Sequence, residues 1–195
     1  MFQRTAPSIE ARPTWSALAG LCLGVCGALI ACAVAMRIVA AHAAPARGEP
    51  AWIEVKWPFL MDQWGTGRAF QCAAADCGVA LDLYVRPKIG FCNCTTGVSD
   101  DAELDRIGDV ELIAARVSPL GEGRPIAVGH MTGRSRAYAV APRRAALAIG
   151  FNDKCDVVVA TLVGAGALPE SAAALALAFL NSRPMLHWVE VALGL

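Results

Sequence analysis

Alternation of apolar and polar side chains is the clearest signal along the chain. Val79, Leu81, Leu83 and Val85 share one face of an extended segment, with Asp82, Tyr84 and Arg86 opposite. This pattern predicts a half-buried strand over 79–86, turned by Pro87 and Lys88. Ile53, Val55 and Trp57 alternate in the same way with Trp52, Glu54 and Lys56, and Pro58 ends that strand. Residues 89–94 are expected to return as a partner of the 79–86 strand. A short helix is predicted over 100–107: Asp100 caps it, Glu103 stands three residues on, and Gly108 stops it. Residues 110–117 read as a further strand, followed by a loop over 119–123.

Two hairpins follow in this reading. The first pairs 125–131 with 135–140 around Thr132-Gly133-Arg134. The second pairs 145–151 with 155–163 around Asn152-Asp153-Lys154. Gly164-Ala165-Gly166 breaks the pattern, and Pro169-Glu170-Ser171 opens a helix to about Leu180. Pro184 ends the connection, and 185–193 alternates as a closing strand. The order predicts an α+β fold: a small, mostly antiparallel β domain with two short helices. The five tryptophans include Trp52, Trp57 and Trp64, close in sequence to Phe59 and Phe70. Such a cluster is expected to fill a core, although it has the chemistry to stack on a sugar or base.

The first part of the chain belongs to a different class. No charge occurs between Arg12 and Arg37, a run long enough to cross a bilayer as a helix. Three organisations fit it. Arg4 and Arg12, with small residues at Ala41-His42-Ala43, suit a signal peptide. The length of the run suits an uncleaved anchor. Leu29-Ile30-Ala31-Cys32 resembles a lipobox in which Cys32 carries lipid. The expected layout is therefore a signal peptide or transmembrane anchor helix over 1–43, a Pro- and Gly-punctuated linker over 44–50, and an exported domain over 51–195. All three options can place that domain outside the cytoplasm. Arg4 and Arg12 before a retained segment nearly balance Arg37 and Arg47 after it, and the cysteine usage favours the exported side. The domain is expected in the periplasm, or anchored in the inner membrane and facing the periplasm.

Composition sharpens this picture in two ways. The net charge is zero across 195 residues, so no global field recruits nucleic acid. The eight cysteines are more than a reducing cytoplasm usually sees, and Cys72, Cys77, Cys92 and Cys94 fall within 23 residues. Structural disulfides are the expected use. A bond between Cys92 and Cys94 would close a small strained ring, so each is expected to pair with Cys72 or Cys77. Those bridges would close loops of about 16 to 23 residues, worth about 3 kcal/mol apiece. The alternatives are a zinc or copper site built from the same four thiolates, or a thiol redox centre. Cys155 is a fifth cysteine beyond the N-terminal run. It is either an inert buried thiol, or bonded to a partner molecule, or bonded to one cluster cysteine, leaving another free.

Residues 100–111 are acidic, but an EF-hand fails there: Arg106 stands where the loop needs glycine, and Leu112 where it needs the final glutamate. Residues 123–152 carry Arg124, Arg134, Arg136, Arg143, Arg144 and His130. Arg134, Arg136, Arg143 and Arg144 are the candidate sites for phosphate or an anionic envelope component. The competing use is pairing with the acidic segment. His130 and His187 lie in predicted strands without a fixed partner. No GxSxG, HExxH or Walker pattern occurs, so no catalytic residue or cofactor is assigned. The expected function is a binding or accessory module of the cell envelope, with metal binding or thiol redox work as alternatives. Its expected contacts are the membrane through the N-terminal segment and an anionic or protein partner.

Overall fold

Strand β3 (Leu81–Lys88) fixes the architecture, because both of its faces are covered. Leu81, Leu83 and Val85 are fully buried on one face, and Arg86 and Lys88 are buried on the other. A strand in this situation lies between two layers, and the rest of the chain supplies them. The computed structural model describes residues 51–140 and 144–195. The expected segments 1–43 and 44–50, including Cys32, lie outside the described residues. Within the described residues, no helix is long and apolar enough to cross a membrane.

The sheet is antiparallel throughout. It contains β1 (Trp52–Val55), β2 (Arg68–Cys72), β3, β4 (Val117–Pro119), β5 (Arg124–Val128), β6 (Met131–Val140), β7 (Arg144–Asp153) and β8 (Asp156–Gly164). The strands lie in the order β1-β2-β3-β8-β7-β6-β4, and β5 also pairs with β6. Among the described residues, four helices join them: the one-turn α1 (Ala74–Cys77), α2 (Asp101–Ile107), α3 (Ser171–Leu180) and α4 (Arg183–Leu193). A single 3-10 turn covers Val110–Leu112.

Helices α3 and α4 cover one face. Ala172, Ala176, Leu180, Met185, Val189 and Leu193 pack there on Leu83, Ile149, Phe151, Ala160 and Leu162. The segment from Cys92 to Val110 covers the other, where Val98, Leu104 and Ile107 meet Ala146, Ala148, Val157 and Val159. Strands β7 and β8 are therefore buried on both sides. They read as nearly continuous apolar runs, as sheets covered on both faces do.

Several local expectations hold. Asp100 caps α2 by accepting from the Glu103 N–H at 2.8 Å, and Gly108 follows its last turn. Helix α3 begins at Ser171, as the Pro-Glu-Ser start signal requires. The α+β class stands, with an antiparallel sheet and a few short helices.

Other expectations are corrected. Residues 185–193 are helix α4, not a closing strand, and Pro184 sits in its first turn, where a missing N–H costs nothing. Residues 89–94 do not form a strand; β3 pairs with β2 and β8 instead. Pro87 is tolerated within β3 because Pro87 and Lys88 extend past β2 and pair only with β8. Residues 110–117 divide into the 3-10 turn and the start of β4. The β5–β6 turn is at Gly129-His130, with Gly129 at φ 59°, so Thr132-Gly133-Arg134 lies inside β6. Gly133 marks a close approach rather than a turn: a Cβ there would stand 1.9 Å from the Gly150 carbonyl oxygen. The β7–β8 turn is shifted to Lys154-Cys155.

Candidate functional site

Polar chemistry gathers in three places on this scaffold. The first is buried. The alternation along β3 directs Arg86 and Lys88 to the face that α2 covers, and Asp109 arrives just after the helix ends. Arg86 Nε and Nη2 donate to Asp109 Oδ2 and Oδ1 at 2.6 and 2.7 Å. Arg86 Nη1 donates to both carboxylate oxygens of Asp62 at 2.8 and 2.9 Å. Lys88 Nζ donates to the Ile107 carbonyl at 2.6 Å and lies 2.9 Å from Asp109 Oδ1. Trp57 flanks the Arg86 guanidinium, and Trp64 and Phe91 flank the Lys88 ammonium. Burial works against the charge on Arg86, but its bonds to Asp109 and Asp62 outweigh that and raise its pKa. The guanidinium is saturated by two carboxylates. This centre fastens three segments together and has no open position for a ligand.

The second place is the arginine set. Arg134 pairs with Asp101 and donates to the Gly123 carbonyl at 3.1 Å. Arg136 donates to Asp105 Oδ2 at 2.8 Å and to the Gly121 carbonyl at 3.0 Å. The Tyr138 hydroxyl also bonds Asp105. The acidic helix α2 thus lies over these side chains, and the Arg134 bond holds the Asp101 pKa below the usual carboxylate range. Two of the four expected anion sites are in this way matched with carboxylates of the chain itself. Arg143 lies outside the described residues.

Arg144 behaves differently. It lies with Arg116 on an open groove of about 760 Å³ at the β4 end of the sheet. Glu111 and Ser118 share the lining, with Ala115 and Val117 as apolar surface. Among the described residues, neither arginine makes an ion pair within 4.0 Å. Arg144 has only a long contact from Nε to the Gly164 carbonyl, at 3.5 Å. Sequence reasoning missed Arg116, because nothing in the local pattern links it to an arginine 28 positions on; the chain reversal through β6 and β7 brings the two together.

The third place is the sulfur cluster. Cys72 and Cys77 bond to each other across α1, with Cα atoms 6.0 Å apart. Cys94 bonds Cys155 in the β7–β8 turn, with Cα atoms 4.2 Å apart. Cys92 is a free, buried thiol, the only free cysteine among the described residues. The expected cross-pairing of Cys92 and Cys94 with Cys72 and Cys77 is therefore corrected. Cys72 and Cys77 stand at one end of β3, and the other two beyond its opposite end. The same separation keeps the four sulfurs from converging as a zinc or copper site. Among the described residues, no group of three or more His, Cys, Asp or Glu is placed to hold a metal. His130 lies in the exposed β5–β6 turn, and His187 is exposed on α4, so neither is a strand histidine.

No family model, no curated protein and no solved structure matches the chain. The two disulfides themselves point to an oxidising, non-cytoplasmic compartment.

Proposed function

We propose that this chain is an exported or membrane-anchored envelope protein, and that its disulfide-stabilised domain is a binding module for an anionic group. The domain would face the periplasm, whether the N-terminal segment is cleaved, lipidated at Cys32 or kept as an anchor. The observation that carries the binding reading is the groove with Arg116 and Arg144. Arg68, Arg86, Arg106, Arg134 and Arg136 each meet a carboxylate; Arg116, Arg124, Arg144 and Arg183 meet none among the described residues, and of these Arg116 and Arg144 share the lining of one groove. Guanidinium groups in this state suit a carboxylate or phosphate, which they engage through paired N–H donors. Ala115 and Val117 give the ligand an apolar surface to lie on, and Glu111 disfavours an anion that fills the whole groove.

The test is a titration of the purified protein, followed through its arginine Nε–H resonances. Inorganic phosphate and a short polyglutamate peptide serve as probes for the two anion classes. Saturable shifts at Arg116 and Arg144, abolished in Arg116→Glu and Arg144→Glu, are the expected result. Shifts spread evenly over all exposed arginines, or absent altogether, would refute the reading.

A further inference from the structure

Cys92 does not stand alone. Its backbone N–H donates to the Cys155 carbonyl at 3.2 Å, and its Sγ donates to the Lys154 carbonyl at 3.2 Å. The free thiol thus lies along the same two-residue turn that holds the Cys94–Cys155 disulfide. The hydrogen bond sets the spacing: with ordinary bond lengths on either side, the Cα atoms of Cys92 and Cys155 are at most about 7 Å apart. That distance reaches the range a disulfide spans. The Asn93 N–H donates to Glu103 and Arg106 donates to the Phe91 carbonyl, which hold this segment against α2. Exposure differs sharply along it, because Cys92 is buried and Cys94, two residues on, is exposed.

We infer that Cys155 has two alternative partners, and that the protein interconverts them by internal thiol–disulfide exchange. Cys92 gives its proton to solvent, and its thiolate attacks the Cys155 sulfur. The Cys92–Cys155 bond forms as the Cys94–Cys155 bond breaks. Cys94 leaves as a thiolate and takes a proton from water. One disulfide and one thiol stand on each side of the step, so no outside oxidant or reductant is consumed. Attack on Cys94 instead would make the Cys92–Cys94 bond, which closes a small strained ring. The consequence is a change of surface chemistry: a buried thiol is exchanged for an exposed one at Cys94. This exposed thiol is available to a disulfide or thiol-reactive group on another molecule. Burial, followed by the nearby Glu103 and Asp156 charges, raises the Cys92 pKa and keeps the exchange slow at neutral pH. The inference stands on the sulfur geometry and is independent of the anion groove.

The experiment follows each cysteine of the full chain separately, by peptide mass after labelling. Native protein is held at pH 8 with a maleimide for a day. Label accumulating on Cys94, with Cys92 recovered in a bond to Cys155, is the expected result. Cys92→Ser should abolish labelling of Cys94. Cys94→Ser, refolded in a glutathione redox buffer, should yield a Cys92–Cys155 disulfide. Label on Cys92 itself, equal Cys94 labelling in the Cys92→Ser protein, or no label at either position would overturn the inference. So would free thiols at both Cys92 and Cys155 in folded Cys94→Ser. Should Cys94→Ser fail to fold, the comparison of parent with Cys92→Ser decides the matter.

Discussion

Asp109→Asn isolates the energetic role of the buried charge centre. The substitution keeps the shape of the side chain, so it opens no cavity, and it removes one negative charge. Arg86 and Lys88 are 3% and 4% exposed, so water cannot replace the lost partner. Of its two bonds to Asp109, of 2.6 and 2.7 Å, Arg86 would keep one, to the neutral amide oxygen, and lose the other, and it would keep Asp62. Lys88 would lose its ion pair and keep the Ile107 carbonyl. Breaking a buried pair from one side costs about 3–5 kcal/mol, and the surviving contacts put this case near the lower bound, about 3 kcal/mol. With an urea slope of about 2 kcal/mol per molar, the unfolding midpoint falls by about 1.5 M. Two controls separate charge from packing. Glu54→Gln breaks the half-exposed pair with Arg68 and should shift stability by less than about 1 kcal/mol. The triple change Arg86→Met, Lys88→Met, Asp109→Leu removes the charges together and should lie within about 2 kcal/mol of the parent. An Asp109→Asn midpoint no lower than that of Glu54→Gln would refute the reasoning.

Three more expectations come from other contacts. The Cys94–Cys155 bridge spans 61 positions and the Cys72–Cys77 bridge 5. In the chain-entropy relation these are worth about 4 and about 2 kcal/mol, so Cys155→Ser should cost roughly twice what Cys77→Ser does in denaturant melts under oxidising conditions. Thr161 is buried and its hydroxyl has no hydrogen-bond partner among the described residues. Thr161→Val should therefore hold or raise stability, by up to about 1 kcal/mol, and a loss larger than that in the same melts would count against it. Burial opposes ionisation of Asp62, but its bonds from the Trp64 N–H and Arg86 prevail, and its pKa is lowered. The Arg68 bond lowers Glu54 in the same direction, as the Arg106 bond does Glu103. Groups of this kind stabilise the fold above the unfolded carboxyl pKa of about 4, and that contribution fades as pH falls through the lower folded values. Melting temperature should thus drop below about pH 4, and Asp62→Asn should flatten that slope; a parallel slope in the variant would contradict the assignment.

The helix α4 shows where local pattern stops being informative. Its buried residues Met185, Val189 and Leu193 are four apart, and a spacing of four satisfies both the helical repeat and strict alternation. What separates the two readings is Val191: it would share the buried face of a strand, yet it is 65% exposed on the helix. Helix α2 was legible because its cap and stop lie within the segment itself. That Cys155 could take one cluster cysteine and leave another free was also legible; that the partner is Cys94 was not, because it depends on the β7–β8 turn lying beside the connection that leaves β3, which no nearby residue records. Arg86 carries the same lesson into the core. Its place opposite Leu83 and Val85 reads as a solvent face, since a charge at an alternating position normally marks one. That inference assumes nothing of opposite charge comes to cover it. Here Asp62 and Asp109 reach Arg86 from 24 positions before it and 23 after it, and together they make the polar face of β3 an interior.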